Sequence, residues 1–393
     1  MQAQKRLTEM SSQSSGVIPV ISTSQMADVL DWNFTLLKNG QKRKLGLLFY
    51  GSPGIGKTEI IKKKALEHGF PVIVIQLSAY RPSDLAGVPV PDLNNKKLEW
   101  YPPDFMEWAD FPKVEVKAEV KEVLEPEHKK DWDAVVYFFD ELNTVPPSVQ
   151  GVALRMILEK RIGHVRLHEN SFIIAACNPP NEVTHASKLT PALLNRFAVY
   201  KVVPDPDSWI EWAIENNIHP YVFSFIKSNP NMLYRRSDFE YEGSFLVTPR
   251  SWEEVSNILK GAELQGRSIK DILIRIDIAA VISDPIAKLF FAFISQLKDL
   301  PSAEDYFLGK VRSDEILENL RDKDGDINNG KTIFWISSLS QSYVKLMKVM
   351  ESDNERKKLA NMWWDFIKKL PEELKLFAVK TMKLYAVSYT HLT

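Results

Sequence analysis

A glycine-rich segment separates an apolar run from a helix-like stretch near the start of the chain. It matches the phosphate-binding pattern G-x-x-x-x-G-K-[ST], in which small residues let backbone N–H groups surround phosphate oxygens. The following helix points its positive end at the same phosphates. Lys57 can reach the β- and γ-phosphates of a nucleotide, and the Thr58 hydroxyl can ligate Mg²⁺. The predicted nucleotide-binding residues are Gly51, Ser52, Pro53, Gly54, Ile55, Gly56, Lys57, Thr58 and Glu59.

Two adjacent carboxylates, Asp140 and Glu141, directly follow a second apolar segment, residues 134–139. Asp140, at the end of a strand, can hold Mg²⁺, and Glu141 can orient and deprotonate an attacking water. Solvated acids that merely cap a strand are the alternative, but their pairing with a phosphate-binding loop favours nucleotide hydrolysis. Gln76 or Ser78, on another predicted strand, are candidates to restrain Glu141.

The composition of the 393-residue chain limits the classes of partner. Lys and Arg number 50 against 51 Asp and Glu, so the balance does not indicate wholesale binding to nucleic acid or an anionic membrane, although a local basic patch stays open. The single cysteine, Cys177, excludes an intrachain disulfide framework and fits a reducing compartment. We read it as a buried small side chain. No apolar run reaches the length of a membrane span, so the cytoplasm is the expected location.

Short apolar segments alternate with predicted helices over residues 17–203. They lack polar alternation, as expected of strands buried on both faces of a parallel sheet. The predicted fold class is therefore α/β, with a doubly wound parallel sheet. The predicted strands are 45–50, 72–77, 134–139, 171–176 and 198–202, and the predicted helices among them include 24–38, 59–68 and 148–160.

Two insertions interrupt this pattern. Residues 89–103 carry the turn Asn94-Asn95 between short runs and predict a hairpin. Residues 113–130 alternate Glu and Lys; we interpret them as a solvated surface excursion, with a partner-docking arm as the alternative. At the ends, residues 1–16 are polar and serine-rich and are expected to be disordered. Residues 387–393 resemble a translated sequencing adapter and are left out of fold interpretation.

After Pro204-Asp205-Pro206 the strand-like segments stop and helical periodicity continues. We divide this region into helices over 204–300 and a C-terminal helical extension over 301–386. The predicted helices are 208–217, 252–263, 269–281, 286–297, 333–350 and 359–370.

The order of these motifs resembles AAA+ ATPases. Beyond the P-loop and Asp140-Glu141-Leu142-Asn143, the resemblance is carried by residues 172–179, 189–197 and 248–252. It covers roughly residues 17–265 and is closest to the MoxR branch and its dynein-related and midasin-like relatives. In that branch a segment like residues 84–92 leads into a hairpin that faces a central pore.

The resemblance implies further roles for three residues. Asn178 corresponds to sensor 1, which helps place the water near the γ-phosphate, and Arg250 to sensor 2 on a helical lid. Arg196 corresponds to an arginine finger, inserted into the neighbouring subunit's site. Arg155 and Arg161 are rival arginines for that role.

The resemblance also implies ATP and Mg²⁺ as cofactors and a ring of identical subunits, commonly six. Such ATPases remodel or activate a protein partner, often a von Willebrand factor A domain protein. A nucleic-acid motor or restriction-type NTPase of the same superfamily is the alternative, and a nucleic-acid partner stays open. A non-hydrolysing scaffold is disfavoured because Lys57, Thr58, Asp140 and Glu141 are all present.

Overall fold

The structure is a computed structural model that divides into two compact units between Val203 and Pro204. This division coincides with the predicted change from mixed α/β to helical sequence. Residues 1–16, Ser78, 84–87, the turn Asn94-Asn95 and 113–130 lie outside the described residues. The described residues are 18–41, 43–77, 81, 88–92, 97–101, 133–162, 165–179, 187–238, 244–350 and 352–390.

The first unit alternates strands and helices along the chain. Its elements are β1 (Val20–Ser22), α1 (Thr23–Lys38), β2 (Gly46–Tyr50), α2 (Lys57–Glu67), β3 (Val72–Gln76), β4 (Val88–Asp92), β5 (Lys97–Tyr101), β6 (Val135–Asp140), α3 (Pro147–Glu159), β7 (Arg161–Ile162), β8 (Val165–Arg166), β9 (Ser171–Cys177), α4 (Pro191–Leu194) and β10 (Phe197–Val203).

A six-stranded parallel sheet forms the centre of this unit, in the order β1-β10-β2-β9-β6-β3. All five strands predicted from the sequence are present, and the α/β fold class is confirmed. β2, β6 and β9 are buried almost throughout, which explains their lack of polar alternation. Because the strands are parallel, the segments that follow β2, β9 and β6 lie side by side at the carboxyl-terminal ends of the strands, which we call the carboxyl edge of the sheet.

The sequence did not predict β1, which pairs with β10 at the edge of the sheet. It has only three residues, and Val20 is half exposed, so it carries no buried apolar run. Ser22 then begins α1 with a capping box, since its hydroxyl accepts from the Gln25 N–H and its own N–H donates to Gln25 Oε1.

Outside the main sheet, β4 and β5 pair antiparallel, with Val88 opposite Tyr101 and Asp92 opposite Lys97. This pair lies where the sequence predicts an inserted hairpin. β7 and β8 form a second, very short antiparallel pair after α3.

The second unit is mainly helical. Its elements are α5 (Pro206–Glu215), α6 (Pro220–Ser228), β11 (Arg235–Asp238), β12 (Ser244–Val247), α7 (Pro249–Leu264), α8 (Ile272–Ile282), α9 (Asp284–Leu297), α10 (Ala303–Phe307), α11 (Ser313–Asn319), α12 (Asn329–Val349), α13 (Asp353–Ile367) and α14 (Glu372–Thr390). The prediction that strands stop after residue 206 is wrong, because β11 and β12 pair antiparallel. β11 reads Arg-Arg-Ser-Asp, which lacks the apolar alternation that marks a strand.

One continuous hydrophobic core joins the helices of the second unit. It runs from Trp209 to Ala378 and so spans the predicted division at residue 300. Trp252, Phe290, Trp335 and Phe366 are at most 1 % exposed and are among its large buried members. Among the described residues, no helix is both long enough and apolar enough to cross a membrane.

Gly330 shows how closely two helices of this core approach each other. A Cβ added there would lie 2.9 Å from the Ser224 carbonyl oxygen of α6, a backbone atom that cannot rotate away. We expect Gly330→Ala to lower the free energy of unfolding by about 1–3 kcal/mol, because α12 must shift from α6. The check is urea unfolding of the full chain followed by tryptophan fluorescence.

Gly261 provides the matched control within the same unit. It lies inside α7, and an added Cβ would meet no atom within 4 Å. Gly261→Ala should therefore raise the free energy of unfolding by about 0.5–1 kcal/mol through the helix preference of alanine. Equal effects of the two substitutions would contradict the close approach at Gly330.

Candidate functional site

The glycine-rich loop joins β2 to α2 at the carboxyl edge of the sheet. Gly54 and Gly56 have φ of 75° and 93°, a backbone region that favours glycine. Gly51 is buried, and a Cβ there would lie 2.8 Å from Ile55 Cδ1 and 2.9 Å from the Val202 carbonyl oxygen. Gly56 caps α2 without a side-chain hydrogen bond, so the first turn of the helix presents its N–H groups to a ligand. The loop geometry therefore fits an anion such as a phosphate.

Lys57 ties this loop to the neighbouring strand. Its ammonium group donates to the carbonyl oxygens of Gly51 and Ser52, at 2.6 and 2.9 Å, and to Asn178 Oδ1 at 3.2 Å. The side chain is almost completely buried, with 7 % of the residue exposed. A buried cation held by three oxygen atoms at the loop supplies the fixed positive charge that a bound phosphate needs.

Thr58 and Asp140 bring two oxygen ligands together. The Thr58 hydroxyl donates to Asp140 Oδ2 at 2.9 Å, which joins the start of α2 to the end of β6. A hydroxyl and a carboxylate oxygen are hard donors of the kind that Mg²⁺ takes, alongside water and nucleotide phosphate. Among the described residues, no group of three His, Cys, Asp or Glu side chains could hold a metal by itself. The Thr58 and Asp140 oxygens fit a magnesium ion that takes its other ligands from water and a phosphate.

Glu141 leaves the strand in an uncommon conformation. Its φ of 53° and ψ of 38° lie in the left-handed region, and its N–H donates to Asp140 Oδ1 at 3.0 Å. For a residue other than glycine, this conformation costs about 1–3 kcal/mol and is concentrated at functional sites. Glu141 is exposed to solvent, whereas Asp140 is half-buried.

Asn178 follows β9, between the loop and the acidic pair, and is held by a second amide. Asn143 Nδ2 donates to the Asn178 carbonyl oxygen at 2.7 Å, and the Asn178 N–H donates to Asn143 Oδ1 at 3.2 Å. Asn143 is only 1 % exposed. The Asn143 side chain therefore holds the backbone of Asn178.

Cys177 lies beneath the loop as the predicted buried small side chain. Burial raises the pKa of its thiol to about 12, so the thiol stays protonated and is not a nucleophile. Its carbonyl oxygen accepts from the Gly51 N–H at 3.1 Å and so fixes the start of the loop.

Arg196 lies at the amino-terminal ends of the sheet strands, whereas the loop lies at their carboxyl-terminal ends. It directly precedes β10, and its carbonyl oxygen accepts from the N–H of Gly46, the first residue of β2. β2 spans five residues, so its two ends are about 13 Å apart. The side chain is exposed, and within the described part of the chain no hydrogen bond or ion pair holds its guanidinium group. Arg196 is thus not part of the cluster around Lys57.

The structure places the remaining predicted residues on other helices and strands. Arg155 is exposed on α3, and Arg161 is exposed with its Nε 3.0 Å from Glu159 Oε2. Gln76 is in register with Asp140 on the adjacent strand and is exposed. Arg250 is exposed at the second position of α7, in the second unit.

Sequence reasoning missed Gln150, which is fully buried on α3 and hydrogen-bonded to three backbone groups. The only signal was a polar residue among apolar ones on the inner face of a predicted helix, and those backbone partners are not visible in a sequence.

Comparison with known protein families matches the central part of the first unit. Residues 46–197 match the family model described as AAA domain (dynein-related subfamily). The matched range begins at β2 and ends at the first residue of β10, so it includes Lys57, Asp140, Glu141, Asn178 and Arg196. No curated protein matches the chain.

Proposed function

We propose that the protein hydrolyses ATP with Mg²⁺ in a ring of identical subunits, and the match of residues 46–197 to an AAA domain model supports this proposal. We further propose that it belongs to the MoxR-like branch and uses this activity to remodel or activate a partner protein. The observation that carries the proposal is the convergence of Lys57, Asn178, Thr58 and Asp140 at one edge of the sheet.

Within one subunit, each of these groups has a separate task. Lys57 and the loop N–H groups bind the phosphates, while Thr58 and Asp140 hold the magnesium ion. The ion, when bound with ATP, supplies charge neutralisation for phosphoryl transfer. Asn178 orients the attacking water near the γ-phosphate, and Glu141 accepts its proton. The exposed position of Glu141 and its bent backbone support this assignment.

The ring follows from Arg196. An arginine at the far edge of the sheet does not reach the nucleotide of its own subunit, but an exposed guanidinium group can enter a neighbour's site. Every subunit then needs a neighbour, and a closed ring gives each one a neighbour; six subunits are proposed from the family resemblance. Arg250, in the second unit, is proposed to respond to the bound nucleotide as sensor 2.

The proposed partner is a protein, and within this branch a von Willebrand factor A domain protein is the candidate. The balance of 50 basic against 51 acidic residues supports a protein over nucleic acid, since nucleic-acid binding depends on excess positive charge. A cytoplasmic location accords with the single cysteine.

Assembly should depend on nucleotide. In sedimentation velocity, we expect larger particles with Mg²⁺ and a slowly hydrolysed ATP analogue than without them, because each bound nucleotide gives a neighbour's Arg196 an anionic partner. Lys57→Ala is the control: it removes the cation that holds the phosphates, so the analogue should not enlarge its particles. A chain that stays monomeric and fully active at every concentration would remove the case for a ring.

A further inference from the structure

Two buried amides connect the nucleotide site to the segment that precedes Arg196. Asn143 and Gln150 are 1 % and 0 % exposed, and neither has a task in the mechanism above. A buried amide without hydrogen bonds costs about 1–3 kcal/mol, so the partners of these two side chains indicate what they hold.

The Asn143 side chain bonds to Asn178 in the nucleotide site, and the Asn143 backbone bonds to the segment that precedes Arg196. The side chain makes the two reciprocal bonds to the backbone of Asn178. Its carbonyl oxygen accepts from the Ser187 N–H at 2.7 Å. The same residue therefore contacts the end of β9 and the start of the segment that leads to α4.

Gln150 holds the next part of that segment. Its Nε2 donates to the carbonyl oxygens of Val145 and Lys188, at 3.2 and 3.4 Å, and its Oε1 accepts from the Thr190 N–H at 3.1 Å. One side chain on α3 thus joins the segment after Asp140 and Glu141 to residues 188 and 190.

The segment that Gln150 contacts, residues 188–190, leads through α4 to Arg196 and so affects the position of Arg196. Thr190 is the N-cap of α4, a single turn of four residues, and the Arg196 N–H donates to the Leu193 carbonyl oxygen at 3.0 Å. A helix this short is not stable alone and takes its position from its surroundings. Besides the apolar contacts of buried Leu193, the hydrogen bond that the Thr190 N–H donates to Gln150 Oε1 contributes to that position. The backbone of Arg196 is also held by the bond from the Gly46 N–H to its carbonyl oxygen.

We propose that Asn143 and Gln150 are positioning residues: Asn143 fixes Asn178 in its own subunit's site, and Gln150 fixes the Arg196 that the subunit presents to its neighbour. The proposal rests on the proposed role of Arg196 in a neighbouring site. Asn143 bonds to Ser187 through its backbone, and Gln150 bonds to Lys188 and Thr190 through its side chain, so the two residues connect the nucleotide site with the segment before Arg196.

Gln150→Met tests this assignment, because methionine keeps the length and apolar volume of the side chain and removes all three hydrogen bonds. Alone, the variant should keep the KM for ATP and lose kcat roughly ten- to hundredfold, as expected for a group misplaced by about 1 Å. In a mixture with Glu141→Gln, the Glu141→Gln subunits present a correctly placed Arg196 to the intact nucleotide sites of the Gln150→Met subunits. Activity should therefore return. Mixed with Arg196→Ala, it should give no recovery, because neither variant supplies a well-placed arginine.

Asn143→Asp should show the opposite pattern. The aspartate still accepts from the Asn178 N–H but faces the Asn178 carbonyl oxygen with a second acceptor, so the subunit's own site is impaired. Its backbone bond to Ser187 remains, and its Arg196 stays in place. Mixing with Arg196→Ala should restore activity, and mixing with Glu141→Gln should not. A merely structural role for these amides would give no such reversal.

The mixture of Glu141→Gln with Arg196→Ala tests the arginine finger separately from the positioning role. If it regains activity while Gln150→Met rescues both partners equally, or neither, the positioning role is overturned and the arginine finger stands. If it regains none but Arg155→Ala or Arg161→Ala in place of Arg196→Ala does, the proposed role of Arg196 fails and the positioning role fails with it. If Gln150→Met does not fold, Gln150→Glu replaces it. Burial keeps this glutamic acid protonated, so it retains an acceptor for the Thr190 N–H and one donor in place of two. The same asymmetry is expected with a smaller loss of kcat.

Discussion

Glu141→Gln is expected to bind ATP as tightly as the wild-type chain and to lose turnover by roughly 10²–10⁴-fold. The substitution leaves Lys57, Thr58 and Asp140 in place, so the groups proposed to hold the phosphates and the magnesium ion are unchanged. The glutamine amide cannot accept the proton of the attacking water, and the reaction loses its base. Binding of a fluorescent ATP analogue and release of phosphate measure the two effects separately.

Two control variants make this result specific. Glu67→Gln makes the same chemical change on the exposed end of α2, in a surface pair with Lys64, and should hydrolyse ATP at the wild-type rate. Lys57→Ala should lose binding itself, because the phosphates lose their buried cation. Wild-type turnover by Glu141→Gln would show that the base is another group.

The proximity of the candidate site residues could be predicted where it depends on local pattern and strand order. The P-loop pattern pointed to Lys57 and Thr58 as candidates, and the carboxylates after an apolar run pointed to Asp140. Because the carboxyl ends of parallel strands share an edge, the contact between Thr58 and Asp140 followed from the predicted fold class. The α/β fold itself could be predicted because strands buried on both faces appear in the sequence as short, continuous apolar runs.

Long-range polar contacts could not be predicted in this way. Gln150 and Thr190 are 40 residues apart in the chain, and a glutamine within a helix normally indicates its solvent face. The strand β11 was missed for a related reason: its polar residues carry no alternation, and its pairing with β12 is visible only in the structure. Both cases depend on partners that lie far away in sequence or lack an apolar signature.

Arg196→Ala is the prediction that tests the ring most directly. The variant should bind ATP nearly normally, because Arg196 lies at the other edge of the sheet from its own subunit's loop. Its hydrolysis should fall about 10³-fold or more, in line with the contribution of arginine fingers in phosphoryl transfer. Arg267→Ala is a suitable control, since it removes an exposed arginine of the second unit that pairs with Asp271 and should leave hydrolysis unchanged.

Mixing decides whether that arginine acts in a neighbouring subunit. Arg196→Ala retains Glu141, and Glu141→Gln retains Arg196, so a ring that contains both variants can form hybrid sites that neither variant forms alone. Activity should return in part, because only some neighbours are paired in the productive order. If mixed rings assemble and stay inactive, Arg155→Ala and Arg161→Ala enter the same mixture in turn. Recovery with one of them would move the finger to that residue, whereas inactivity in every mixture would mean that hydrolysis requires every site around the ring to be intact.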